Sequence, residues 1–272
     1  MGTIWACVSG KGGVGKSTVA LCAAVELTKR GKKVALVDAD AGVRNLDLML
    51  GVENKIVFDL LDVVEETAQL RQATIEIKAY PGLSLISASQ TQEQDHFPEG
   101  AFEKILKTLC KQYDYIVVDC PTGIGSIVQS ALESCDEAIV VTTPDNVSIR
   151  DADHIAGILS RKGRAHPHVV VNRVHAQLRA EGETYDGKTV AQTLDAVFLG
   201  EVPEDEAVYR SMLCQVPPTE GESAAAAALK GCVAAMLGES KAQPLNLTSP
   251  SQPVHGIFSR LLSSKRNRGI NA

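Results

Sequence analysis

Residues 10–17 read Gly-Lys-Gly-Gly-Val-Gly-Lys-Ser, which fits the phosphate-binding pattern G-x-x-x-x-G-K-[ST]. No other stretch constrains the fold as tightly, because this loop needs a buried strand before it and a helix after it. Residues 4–8, Ile-Trp-Ala-Cys-Val, supply the apolar run of such a strand, and 17–30 follow with alanine- and leucine-rich helical periodicity that stops at Gly31. The glycines let backbone N–H groups turn inward toward phosphate oxygens, and the helix N-terminus adds positive potential. Lys16 is expected to reach the β- and γ-phosphates of a nucleotide, and the Ser17 hydroxyl to serve Mg2+. Lys11 lies outside the requirement of the pattern, and at this point it reads equally well as an ordinary exposed loop charge.

Six further apolar runs recur at 34–38, 83–87, 116–119, 138–142, 169–172 and, more weakly, 196–199. They are continuous rather than alternating, as strands buried on both faces are. Helical patterns fit between and beyond them at 58–67, 99–112, 125–134, 148–161, 205–212 and 222–237, while 173–188 is polar and reads as a loop. The expected fold is α/β: a doubly wound, mostly parallel sheet with helices on both faces, spanning residues 1–237.

Two of the runs end in carboxylates. Residues 34–38 lead into Asp38-Ala39-Asp40, whose two acids are expected to point alike at the carboxyl edge of the sheet, where open α/β sheets bind ligands. Residues 116–119 end on Asp119, the usual second half of a P-loop site, reaching Mg2+ directly or through water.

Composition excludes several classes. No stretch approaches the ~18 apolar residues of a membrane span, and the N-terminus lacks a signal-peptide layout, so a cytoplasmic protein is expected. Seven cysteines without a C-x-x-C spacing suit buried thiols better than disulfides or a zinc site. The net charge is −6, but from Ser240 onward there are five basic residues (Lys241, Arg260, Lys265, Arg266, Arg268) and no acidic one. The remaining body is strongly acidic, which disfavours nucleic-acid binding by it.

The tail divides in two. Residues 238–255 hold three prolines and many small polar residues, and read as a linker. In 256–268, taken as a helix, Ile257, Phe258, Leu261 and Leu262 fall within about 140° of one another, the pattern of an amphipathic helix lying on an anionic membrane surface. The competing reading is that these four residues cap the globular core.

Taken together, the motifs carry a family resemblance. Residues 10–18, Gly10 to Thr18, resemble the deviant Walker A motif of the ParA/MinD ATPases, with Lys11 as its signature lysine. Residues 38–47 are similar to the family's switch I, 119–124 to its switch II, and 148–153 to the helix that follows. Asn172-Arg173 and 200–205, including Pro203, sit where relatives hold adenine. Thr122 and Gly125 depart from the commoner Ala and Glu of switch II.

The resemblance implies ATP and Mg2+ as ligands and a face-to-face homodimer with ATP sandwiched, Lys11 crossing to the partner's phosphates. It implies catalytic roles for Lys11, Lys16 and Asp40, the last positioning the attacking water. Gly10, Gly12, Gly13, Val14, Gly15, Ser17 and Thr18 would cradle the nucleotide, Ser17 and Asp119 would serve the metal, and Asn172 and Pro203 would meet the base. The implied activity is a membrane-associated ATPase that places the division septum, recruiting a division inhibitor to the cytoplasmic face of the inner membrane until a stimulator releases it. The alternatives are DNA-partitioning or flagellar-placement ATPases of the same family, or a nucleotide-binding scaffold with little catalysis.

Overall fold

The first strand, β1 (Thr3–Val8), sends alternate side chains into two separate cores: Ile4, Ala6 and Val8 into one, Trp5 and Cys7 into the other. The same division holds in β2 (Val34–Asp38), with Ala35 and Val37 opposed to Val34 and Leu36, and in β5 (Tyr115–Asp119), with Ile116 and Val118 opposed to Val117. A strand with apolar residues on both faces must be covered on both, which is why these runs read as continuous. The computed structural model describes residues 2–42, 44–89, 97–98, 100–163 and 166–245; Ile257, Phe258, Leu261 and Leu262 lie outside them.

Among the described residues eight strands form one sheet in the order β3-β4-β2-β5-β1-β6-β7-β8, with β3 (Thr74–Glu76), β4 (Leu83–Ile86), β6 (Glu137–Thr142), β7 (His168–Val174) and β8 (Val197–Pro203). Every pairing is parallel except β3 with β4. One face is covered by α1 (Lys16–Lys29) and α11 (Ala224–Met236). Residues of α3 (Leu60–Val64), α5 (Ala101–Leu109), α6 (Ser126–Ser134), α7 (Asn146–Arg161) and α9 (Gly187–Thr193) fill the core on the other. Buried between the sheet and α11, α1 hides its residues from Val19 to Thr28. The shorter helices α2 (Leu46–Met49), α4 (Leu70–Ala73), α8 (Ala176–Ala180) and α10 (Glu206–Leu213) complete the chain, and residues of α2 and α10 line the cavity described below.

The expected strands are all present, β8 running on to Pro203. Two readings need correction, and one strand has no counterpart among the expected runs. The helix expected over 58–67 is only α3: Asp59 and Asp62 form a reciprocal cap at its start, and Glu66 turns left-handed at φ 60° just beyond its end. The polar stretch 173–188 is not a plain loop, since it holds α8 and the start of α9. None of α8 is buried, so no apolar periodicity announces it. The antiparallel edge strand β3, three residues long, is too short for a pattern.

Among the described residues no helix is long and apolar enough to cross a membrane. Six of the seven cysteines are buried, and desolvation pushes the thiols of Cys22 and Cys232 up to about 12.

Candidate nucleotide site

The P-loop spans the gap between β1 and α1 at the carboxyl edge of the sheet, and neighbouring backbone holds it in shape. Gly15 adopts φ 91°, which L side chains rarely do, and a Cβ there would lie 2.2 Å from Asn172 Nδ2. That amide donates to the Val14 carbonyl at 2.8 Å. Arg173 supports the loop one residue earlier: Nη1 donates to the Gly13 carbonyl at 3.1 Å, while Nε and Nη2 grip the Glu204 carboxylate at 2.8 and 3.1 Å. At the other end Gly10 passes so close to α7 that a Cβ would sit 2.6 Å from the Asp151 carbonyl. The end of β7 thus props the loop with two side chains, and Asn172 is itself buried beneath it. Pro203 ends β8 opposite Val174, beside Glu204.

Strand register assembles the charges. Asp119 pairs with Cys7 on one side and with Asp38 on the other, at the ends of β5, β1 and β2. Lys16 opens α1, and its Nζ lies 2.5 Å from Asp119 Oδ1 with both groups buried. Burial opposes the ammonium charge, but the attraction and hydrogen bond of Asp119 outweigh it and hold Lys16 above its ordinary value. Desolvation first, and the Asp119 charge second, push Asp38 up to about 7.

The two acids at the carboxyl end of β2 divide their work. Asp38 Oδ1 accepts from the Asp40 N–H at 3.0 Å, and Oδ2 accepts from the Asn45 and Leu46 N–H groups at 3.2 and 3.3 Å. Its carboxylate therefore ties down the backbone that carries Asp40. Asp40 lines a cavity of about 740 Å³ together with Gly12, Gly15, Lys16, Ser17 and Thr18. The stretch after β5 reaches the loop through the Gly123 N–H, which donates to the Ser9 carbonyl at 3.1 Å, and Thr122 faces the same cavity.

Asp119 Oδ2 is buried without a hydrogen-bond partner among the described residues. An orphaned carboxylate oxygen is costly unless something binds it, and with the Ser17 hydroxyl in the first turn of α1 the candidate donors are hard oxygens. That fits Mg2+.

The loop is a wall between two cavities, since Gly12, Gly13 and Val14 line both. The second, also about 740 Å³, is bounded by Lys11, Asp145, Arg173, His175 and Tyr185. Here Lys11 Nζ lies 3.7 Å from Asp145 Oδ1, both side chains about half exposed. Asp145 caps α7 by accepting from Val147 and Ser148 N–H, and partial burial is outweighed by bonds from Thr143 and Ser148, which bring its carboxyl down to about 2. Sequence reasoning missed this partner of Lys11, although an Asp three residues before Ser148 is a helix-cap signal.

A glycine cradle at the carboxyl edge of a parallel sheet, with the aspartate of a second strand against its lysine, belongs to the P-loop NTPases. Comparison with known proteins narrows the class: the ParA family pattern, described as NUBPL iron-transfer P-loop NTPase, matches residues 1–236. The septum site-determining protein MinD of Bacillus subtilis is 37% identical over 243 residues, 88% of this chain and 91% of that protein. MinD of Neisseria meningitidis is 36% identical, covering 89% and 93%. Among solved structures, the MinC:MinD cell division complex of Aquifex aeolicus superposes with a TM-score of 0.82 at 33% identity, covering 91% of this chain and 100% of that one. MinD of Pyrococcus horikoshii, complexed with Mg-ADP, gives 0.78 at 28%, covering 87% and 96%. The chain belongs to the ParA family of P-loop NTPases, and its likeness within that family is to MinD.

Proposed function

We propose that this chain is a MinD-type ATPase: an ATP-dependent dimerisation switch that attaches to the membrane and carries a division inhibitor to it. The observation that carries the reading is Lys11, a lysine dispensable for a simple P-loop, standing half exposed at the rim of the site and held, among the described residues, by a 3.7 Å contact to Asp145. A cation so loosely held is free to exchange that carboxylate for the phosphates of a second copy.

Within one subunit, Lys16 remains charged against Asp119 and meets the β- and γ-phosphates. Ser17 and Asp119 would hold Mg2+, which when bound neutralises phosphate charge. Asp40, fixed through the backbone bonds to Asp38, orients the water whose oxygen attacks the γ-phosphorus as the bond to ADP breaks. Loss of the γ-phosphate removes the ligand that Lys11 shares between subunits, so the dimer opens. Ile257, Phe258, Leu261 and Leu262 would insert into an anionic membrane, where two tails on one dimer bind far more tightly than one. The named complex of MinC with MinD supports a MinC-like inhibitor as partner. A MinE-like stimulator follows from the resemblance.

Phosphate release in the presence of anionic liposomes tests the catalytic part. Asp40→Ala is expected to lower the rate about 10²-fold while nucleotide still binds. Equal rates would leave a nucleotide-binding scaffold.

A further inference from the structure

The segment expected to be a free linker from Gly238 is anchored as far as Leu245. Gln243 bridges in parallel to Gly200, the Glu201 N–H lies 3.4 Å from the Gln243 carbonyl, and the Leu245 side chain packs on the core. This single bridge lies on the open edge of β8. The carboxylate that secures it is Glu201, buried to 2% exposure. Its Oε2 accepts from the Leu245 N–H at 2.6 Å, and its Oε1 accepts from the Gly187 N–H at 2.6 Å with Arg179 Nε 3.5 Å away.

Gly187 begins α9, directly after the stretch that roofs the second cavity. That roof is pinned to the start of α7 and the turn before it, with the Tyr185 hydroxyl donating to Asn146 Oδ1 at 2.9 Å and Thr184 Oγ1 to the Pro144 carbonyl at 3.3 Å. Asp145, between those two acceptors, is the residue that faces Lys11. One buried carboxylate therefore joins the cavity roof to the root of the tail.

We propose that Glu201 is a positioning residue: through its two oxygens it clasps the root of the C-terminal tail to the roof of the cavity beside the P-loop, so that root and roof order and open as one unit. The physical reason is that a buried carboxylate cannot lose one partner cheaply. Freeing Oε2 leaves it desolvated and unpaired, and the whole group then rehydrates or swings, loosening the bonds at Oε1 as well. On the membrane reading above, on which only this consequence rests, the clasp also sets where the tail begins. Fully extended, the chain from Leu245 to Gly256 spans at most about 40 Å, against about 65 Å if it were free from Leu237.

Amide hydrogen exchange on the full chain, without membrane, tests the clasp independently of that reading. In the parent protein the Leu245 and Gly187 amides are expected to be protected. Leu245→Pro deletes the tail-side donor together with the packing of the Leu245 side chain; with Leu245→Ala as the control for lost packing, it is expected to speed exchange at Gly187 by about tenfold while α11 stays protected. E201Q, whose carboxamide offers one acceptor oxygen instead of two, is expected to release both segments. An unprotected Leu245 amide in the parent, or a Gly187 amide unmoved by Leu245→Pro, would overturn the proposal. Vesicle binding plays no part in either outcome, so a failed membrane reading and a failed clasp are told apart.

Discussion

Asp38 stands directly opposite Asp119 across the β2–β5 pairing, two buried carboxylates with Lys16 as the cation beside them. Like charges so placed resist joint ionisation, which is why burial and Asp119 together push Asp38 up to about 7. A carboxyl raised on folding stabilises the folded state most when protonated. Its contribution is complete below the ordinary value of 3.8 and is lost as pH climbs through about 7. Between pH 5 and 7 the urea midpoint of the nucleotide-free protein should therefore fall more steeply than that of Asp38→Asn. Parallel slopes would show that Asp38 titrates normally.

Lys16→Met removes the counter-charge of Asp119 and leaves a buried acid alone. Such breakage costs about 3–5 kcal/mol, less at acid pH where the carboxyl protonates. Urea unfolding at pH 8 measures the loss, and a second change, Asp119→Asn, should restore much of it. Nucleotide binding, read with a fluorescent ADP analogue, should remain absent in both.

At Gly15 the backbone lies at φ 91° and an added methyl meets Asn172 Nδ2 at 2.2 Å. Gly15→Ala carries a strain of about 1–3 kcal/mol and displaces the amide that braces the Val14 carbonyl. Weakened nucleotide binding with a modest loss of thermal stability is expected. Unchanged affinity would mean that the loop tolerates another shape.

Lys11 and Asp145 separate stability from assembly. Their contact is half exposed, so Lys11→Ala should change stability by no more than about 1 kcal/mol. Asp145→Ala also removes the cap of α7 and should cost about 0.5–2 kcal/mol. In sedimentation with ATP and Mg2+, Lys11→Ala is expected to stay monomeric. A surviving dimer would refute the crossing lysine.

Much of this was legible before any coordinates. The strands of the sheet other than β3 announced themselves because both faces are buried, the P-loop because its glycine and lysine spacing reflects phosphate geometry, and Asp119 because an apolar run closes on it. The relations that escaped are ones that periodicity cannot encode. Asp38 and Asp40, expected to point alike, part company: Asp38 turns to three backbone N–H groups, and Asp40 lines the cavity. Asn172, assigned to the base by likeness, has its amide against the Val14 carbonyl, a contact between residues 158 apart in sequence. The Glu201 clasp joins β8, α9 and a segment that composition alone marked as a linker.

The most direct test of the central claim is co-pelleting with anionic phospholipid vesicles, comparing the intact chain with one lacking residues 256–272. The intact chain should pellet with ATP and Mg2+ but not with ADP, and the shortened chain should remain in solution while still binding nucleotide. Equal pelleting of the two, or pelleting indifferent to nucleotide, would contradict an ATP-governed membrane switch.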